Sequence, residues 1–173
     1  GLRVASKVVA ESITRAVKIV YDGDTILLDS QMSSPVYNVY GNPSSFGQSV
    51  VGGETVRLVG IDAPESTTPA GERSKAYLKK RIEGKVVRVD SDPNALTDMY
   101  GRRLGVIYLD GVNINLELIK LGYAKFYAFE PNALVYEKQW KAASGGSASG
   151  AGSSTVKVFT GIVTQGKLGN PTA

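Results

Sequence analysis

Five short runs of β-branched and long aliphatic residues occupy much of the chain before residue 111, and each closes on Gly, Pro, Asn or Asp. Runs of this composition, bounded by turn residues, are typical of short β-strands. The predicted strands are two runs within residues 16–30, then residues 54–62, 85–92 and 103–110.

Three helical segments are predicted, at about residues 69–83, 114–121 and 133–142. The first has Pro69 in the favoured first position after Thr68, and Gly84 stands where a helix commonly stops. The third follows Asn132, which we expect to be its N-cap. The order of three strands, one helix, two strands and two helices predicts an α+β fold, a five-stranded OB-type β-barrel with three helices.

Two stretches fall outside this plan. Residues 31–53 form a Gly-, Ser-, Asn- and Tyr-rich insertion between the second and third strands, where a tight turn would suffice. It is either a lid over a binding groove or a surface loop without a role in binding. Residues 144–154 have the composition of a flexible linker. We therefore expect one domain over residues 1–143, then this linker and a C-terminal extension over 155–173 with one possible strand.

The chain of 173 residues contains neither cysteine nor histidine. Thiolate and histidine metal sites, cysteine nucleophiles and Ser-His-Asp catalysis are thereby excluded. Chemistry must use carboxylates, Arg, Lys, Tyr or hydroxyl groups, and we expect a hard metal that prefers oxygen ligands to assist them. The net charge of +4 suits a polyanionic partner. No apolar run is long enough to span a bilayer.

Three motifs carry candidate chemistry. In the first, Asp22-Gly23-Asp24-Thr25, Asp-Gly alone indicates a hairpin turn, yet two carboxylates so close favour a neighbouring cation. The second, Arg57-Leu58-Val59-Gly60-Ile61-Asp62-Ala63-Pro64-Glu65, turns a guanidinium toward the barrel side, where it needs an anionic partner. A solvated turn with a structural salt bridge is the other interpretation. The third, Asp98-Met99-Tyr100-Gly101-Arg102-Arg103-Leu104-Gly105, is by itself a basic turn.

In combination these motifs, followed by a helix ending L-G-Y-A-K, resemble the staphylococcal nuclease (thermonuclease) family over about residues 13–142. The resemblance implies a calcium-dependent nuclease that cuts DNA and RNA and leaves 3′-phosphates. The roles it implies are Ca²⁺ ligands for Asp24, Asp62 and the Ala63 carbonyl, a general base for Glu65, phosphate-binding guanidinium groups for Arg57 and Arg102, nucleotide-pocket tyrosines for Tyr100 and Tyr127, and a supporting carboxylate for Asp22.

The chain departs from the family pattern at two pocket positions. Met99 and Phe129 stand where that pattern has a lysine and a second tyrosine, which affects nucleotide affinity and base preference. The alternative function is a non-catalytic OB-type module that binds single-stranded nucleic acid. Because such a module needs no set of metal carboxylates, base and paired arginines, we expect an enzyme. We also expect a secreted or envelope-associated protein whose signal or anchor is not part of this chain, since weak calcium sites suit extracellular calcium levels.

Overall fold

The fold is known from a computed structural model that describes residues 8–32, 36–37, 40–41, 43–44, 50–128 and 131–148. The strands are β1 (Glu11–Asp22), β2 (Thr25–Leu28), β3 (Gln31–Met32), β4 (Val36–Tyr37), β5 (Pro43–Ser44), β6 (Val50–Val51), β7 (Glu54–Leu58), β8 (Ile61–Asp62), β9 (Val86–Ser91), β10 (Arg103–Leu109), β11 (Val112–Asn113) and β12 (Lys125–Phe126). The helices are α1 (Pro69–Ile82), α2 (Ile114–Lys120) and α3 (Glu137–Ala148).

Five strands form a closed barrel in the order β10-β7-β2-β1-β9, and pairing between β9 and β10 closes it. The β7–β10 pair is parallel, whereas the other four pairs are antiparallel. The predicted α+β fold, a five-stranded OB-type barrel with three helices, is confirmed.

Alternating residues of the barrel strands fill a single apolar core. Ile26, Leu58, Val89 and Ile107 are fully buried there. Leu78 and Ile82 of α1, spaced one turn apart, and Leu118 of α2 pack on the same core. In the part of the chain that the structure describes, no helix has the length and apolarity that crossing a bilayer requires.

The predicted strand 54–62 is wrong in one respect, because it is two strands separated by a turn at Val59-Gly60. Gly60 has φ +80°, a conformation that side chains rarely adopt. A Cβ atom at this position would lie 2.5 Å from Cζ3 of the buried Trp140. The chain therefore turns under α3 and sets Ile61 and Asp62 on the separate short strand β8, which pairs with β12.

The third helix begins at Glu137, so the predicted start at residue 133 and the predicted N-cap role of Asn132 are wrong. The Asn132 side chain accepts a hydrogen bond from Leu134 N–H and caps a separate turn. The carboxylate of the buried Asp92 accepts a hydrogen bond from Ala133 N–H at 2.7 Å and ties that turn to the barrel. This tertiary contact offers the backbone a partner outside the helix, which delays the helix by about one turn.

The insertion 31–53 prolongs the β2–β7 hairpin through the pairs β3–β6 and β4–β5. Its root is fastened by the buried Arg15, which donates to the carbonyls of Asp29 and Gly52 and forms an ion pair with Glu54. Asp24 and Arg57 lie at the other end of this hairpin, since Thr25 pairs with Arg57 there. A lid would therefore have to fold back along the hairpin. α3 continues to Ala148 and so includes residues 144–148, the first part of the predicted linker. Residues 149–173, with the rest of the predicted linker and all of the extension, lie outside the described residues.

Candidate active site

A shared guanidinium group brings together two of the predicted calcium ligands. Nη2 of Arg57 lies 3.4 Å from Oδ2 of Asp24 and 3.6 Å from Oδ1 of Asp62. The strand register explains this meeting, because Asp24 immediately precedes β2, whose first residue pairs with Arg57, while the Val59-Gly60 turn brings Asp62 back toward the same strand. Arg57 does face anionic partners, but the expectation that it lies on the barrel side is wrong. Leu58, the next residue of β7, is fully buried in the barrel core, so the Arg57 side chain lies on the outer face of the barrel.

Asp24 is the most buried acidic group of this cluster. Its Oδ2 accepts a hydrogen bond from Ala63 N–H at 2.8 Å, and its Oδ1 accepts one from the Thr25 hydroxyl at 3.1 Å. Burial, and next a hydrogen bond with the Asp22 side chain, raise the pKa of Asp24 to about 6, against the opposing attraction of Arg57. Asp22 also accepts from Asp24 N–H, so the Asp-Gly-Asp turn holds its two carboxylates together. The site therefore carries more negative charge than Arg57 neutralises.

This donor set suits a hard divalent cation. Asp24 and Asp62 offer carboxylate oxygens, the ligands that such cations prefer, and the two carboxylates share one guanidinium. Ala63 contributes its N–H to Asp24, and its carbonyl forms no hydrogen bond in the described part of the chain. Within the described residues no three acidic side chains form a metal-binding group by themselves, so a cation here would complete its shell with backbone, water and substrate oxygens.

Glu65, the predicted base, lies on the short loop between β8 and α1 and is exposed. Its side chain forms no hydrogen bond or ion pair with the described residues. Its backbone carbonyl, in contrast, accepts from both the N–H and the hydroxyl of Thr68, the N-cap of α1. The start of α1 thus fixes the backbone of Glu65 while its carboxylate stays open to water.

Arg102 is held by a different partner from Arg57. Its Nε donates to Oδ2 of Asp98 at 2.7 Å, and its guanidinium carbon lies 5.3 Å from the centre of the Tyr100 ring. Asp98 also accepts from the N–H groups of Tyr100 and Arg102, which makes this turn rigid. The two Nη groups of Arg102 form no hydrogen bond within the described residues. They remain available to a phosphate.

Beside Arg57 lies a mainly apolar pocket lined by Leu58, Leu104, Val135 and Tyr127, among others. Leu104, two residues after Arg102, pairs with Arg57 in the parallel β7–β10 ladder. Tyr127 donates its backbone N–H to the Gly60 carbonyl, which holds it at the pocket. Tyr100 is 75% exposed on its own loop, and Phe129 lies outside the described residues.

The structure thus joins Asp22, Asp24, Arg57, Asp62 and Ala63 by direct contacts. Glu65 lines a depression together with Asp62 and Ala63. Arg102 and Tyr100 lie on the turn before β10, and no contact in the described part of the chain joins them to the cluster. Sequence reasoning missed two residues at this site. Asp98 holds Arg102, and its position four residues before that arginine was the available signal. Lys125 pairs with Asp62 across β8 and β12, and no local signal marked that pairing.

Comparison with known proteins identifies relatives of this chain. The family described as staphylococcal nuclease homologue matches residues 55–146, more than half of the chain. An uncharacterized protein of Bacillus anthracis is 32% identical over 113 residues, which are 61% of this chain and 53% of the relative. A probable staphylococcal-like nuclease of Oryza sativa subsp. japonica is 39% identical over 101 residues, 56% of this chain and 30% of the relative. The thermonuclease of Staphylococcus intermedius is 32% identical over 122 residues, 67% of this chain and 61% of the relative. The chain spans less than two thirds of the length of each of these relatives.

Proposed function

The chain belongs to the staphylococcal nuclease family, and on that premise we propose that it is a calcium-dependent phosphodiesterase that hydrolyses DNA and RNA to leave 3′-phosphates. The observation that carries the proposal is the Asp24–Arg57–Asp62 cluster, which sets one oriented guanidinium and two carboxylates beside a mainly apolar pocket. This combination matches a nucleotide in a strand, whose phosphate is anionic and whose base has flat, largely apolar faces.

In the proposed mechanism the arginines position the phosphate. Arg57 is fixed before substrate arrives, because Asp24, Asp62 and the Leu58 carbonyl already hold it. Arg102, fixed by Asp98, presents its two Nη groups. Forked donors suit the charge that develops on the non-bridging oxygens, and a donor held in place needs no reorganisation during the reaction.

The water is activated on the other side of the cluster. Glu65, exposed and fixed through its backbone, would accept a proton from a water that attacks phosphorus. Ca²⁺ bound by Asp24, Asp62 and the Ala63 carbonyl would neutralise charge on the phosphate. The contacts proposed above are with the phosphate and the base, and none of them requires or rejects a 2′-hydroxyl. We therefore propose that both DNA and RNA are substrates. We propose an extracellular or envelope location, because a loosely held calcium ion suits millimolar calcium.

The test is a cleavage assay on single-stranded DNA and on RNA, with millimolar Ca²⁺ and with a chelator. We expect both substrates to be cut only with calcium, and end-labelling to find 3′-phosphates on the products. Binding of single strands without cleavage would favour the non-catalytic module instead. Products with 5′-phosphates would contradict the proposed direction of cleavage.

A further inference from the structure

A second depression adjoins the candidate site on the side away from the apolar pocket. One wall is the segment from Asp62 to Glu65, and the other is the segment from Gly122 to Lys125. Its volume is about 500 Å³, enough for a nucleotide, since small-molecule sites in proteins measure about 300–1,000 Å³. We refer to it as the lysine groove.

The Arg57–Asp62 ion pair stands on the boundary between the two depressions. Arg57 and Ile61 line the apolar pocket, whereas Asp62, the next residue along the chain, lines the lysine groove. A strand whose phosphate is held at Arg57 would therefore have the apolar pocket on one side of that phosphate and the lysine groove on the other. The groove is placed to receive a strand that continues past the cleaved bond.

Whether the lysine groove can bind a phosphate depends on the charge of Lys125. Asp62 and Glu65 bring negative charge to it, which would repel the phosphate of a neighbouring nucleotide. Among the described residues that line it, Lys125 is the only cation. Lys125 pairs directly with Asp62 in the antiparallel β8–β12 ladder, so both side chains lie on the same face.

The ammonium group of Lys125 is not used by the fold. Lys125 is exposed, and its side chain forms no ion pair or hydrogen bond within the described part of the chain. The carboxylate nearest along the ladder, that of Asp62, faces Arg57 instead. Lys125 lies beside the Arg57–Asp62 ion pair but does not join it, so its charge is available to a ligand.

We propose that the lysine groove is a phosphate subsite in which Lys125 binds the phosphodiester next to the one being cleaved. The ligand is a polynucleotide strand, and the proposal rests on the proposed function. Because the contact is a charge on a flexible stem, it adds affinity without reading the base. Lys125 would then bind substrate without taking part in the chemical step.

The experiment measures how Lys125→Ala changes the cleavage of two substrates. A dinucleoside monophosphate contains only the bond to be cut, whereas a hexanucleotide also has neighbouring phosphates. With the hexanucleotide we expect the variant to lose roughly tenfold in kcat/KM and its log–log salt dependence to become shallower by about 0.7, the value for one lost contact on a single strand. With the dinucleoside monophosphate we expect less than a twofold change.

Two further variants serve as controls. Lys125→Arg should keep most of the hexanucleotide activity, because it keeps the charge. Lys80→Ala removes an exposed charge from the last turn of α1, away from the groove, and should leave the salt dependence unchanged. Melting temperatures should show that all variants are folded.

Each other outcome has a distinct meaning. Equal losses on both substrates would overturn the subsite, because Lys125 would then act on the cleaved phosphate. No loss on either substrate would overturn it as well. Failure of the unaltered protein to cut any substrate would contradict the proposed function itself, and hexanucleotide binding by the two proteins would then test the subsite separately, with equal affinities overturning it.

Discussion

Arg57 has structural contacts that also suit the phosphate-binding role we propose for it. Its guanidinium is largely buried, and burying such a charge alone would be prohibitive, so the fold supplies Asp24, Asp62 and the Leu58 carbonyl around it. The same partners fix its orientation. A phosphate arriving at this group meets donors that are already aligned, which is the arrangement that stabilises a transition state most effectively.

Glu65 is the residue whose role is tested most directly. Replacing Glu65 by Gln should lower kcat by roughly 10²–10⁴-fold, the usual contribution of a general base, because the amide cannot accept the proton. The fold should be unaffected, since the Glu65 side chain is exposed. Steady-state cleavage at saturating calcium and substrate measures the effect. Turnover equal to that of the unaltered protein would exclude Glu65 as the base.

Asp24 lends itself to a stability measurement. Its pKa is raised to about 6 in the folded state, so the folded protein binds a proton more tightly than the unfolded chain does. This contribution to stability is complete below about pH 4 and is lost as the pH rises through 6. In the absence of metal, Asp24→Asn should therefore be more stable than the unaltered protein at pH 7.5, by on the order of 2 kcal/mol. At pH 4 the difference should disappear.

Chemical denaturation at both pH values, with a chelator, measures this difference. Glu72→Gln, an exposed carboxylate in the first turn of α1, is the matched control and should change little at either pH. An Asp24→Asn protein that is less stable at pH 7.5 would show that the ion pair with Arg57 outweighs burial. Added calcium should stabilise the unaltered protein and not the variant, because the variant lacks the Asp24 carboxylate that would bind the ion.

At the scale of the element, the start of α1 is what fixes Glu65. Thr68 donates twice to the Glu65 carbonyl and accepts from Gly71 N–H, so the helix cap and the loop that carries Glu65 are one hydrogen-bonded unit. Gly71 lies directly against the Glu65 carbonyl, with no room for a Cβ atom. This glycine allows the close approach of helix and loop.

Gly71→Ala should consequently affect both stability and catalysis. The added methyl group would push the Glu65 backbone away, with a loss of at least about 2 kcal/mol from overpacking and a fall in kcat of about tenfold or more from misplacement. Ala76→Gly, at an exposed position of the same helix, should cost about 1 kcal/mol without lowering kcat. Thermal melts and steady-state kinetics on both variants separate the two effects. Unchanged kcat in Gly71→Ala would mean that the loop adapts.

At the scale of the whole molecule, the barrel separates the site from the insertion. The β2–β7 hairpin places Asp24 and Arg57 at one end. At the other end Arg15 binds the Asp29 and Gly52 carbonyls and Glu54, a set of contacts we call the Arg15 clamp. Glu54 extends this clamp to Arg103, and Arg103 to Glu11, so the root of the insertion is tied to three barrel strands. This arrangement supports the barrel without touching the cluster around Arg57.

Replacement of residues 31–51 by Asn-Gly tests the role of the insertion. This dipeptide closes a two-residue hairpin, and the carbonyl groups of Asp29 and Gly52 that Arg15 binds are kept. We expect kcat/KM on single-stranded DNA to stay within about threefold and the melting temperature to fall by only a few degrees. A large loss of activity with an intact fold would support the lid instead.

The local sequence determined the main barrel strands and the first helix. β-branched runs ending in turn residues predicted the strands, and Thr68, Pro69 and Gly84 placed α1 almost to the residue. These features depend on backbone preferences and on turns a few residues long, which a sequence displays directly. The resemblance of the ordered motifs to a family added the candidate site residues, as positions along the chain rather than as a geometry.

Only the tertiary structure decided where those residues meet. Asp24 reaches Arg57 through the β2–β7 register, Asp62 faces it because Gly60 turns the chain under Trp140, and α3 starts late because Asp92 holds the preceding turn. Lys125 enters the site only through its pairing with Asp62, more than sixty residues away along the chain. Such contacts depend on how distant segments pack around one core, and local preferences do not encode those distances.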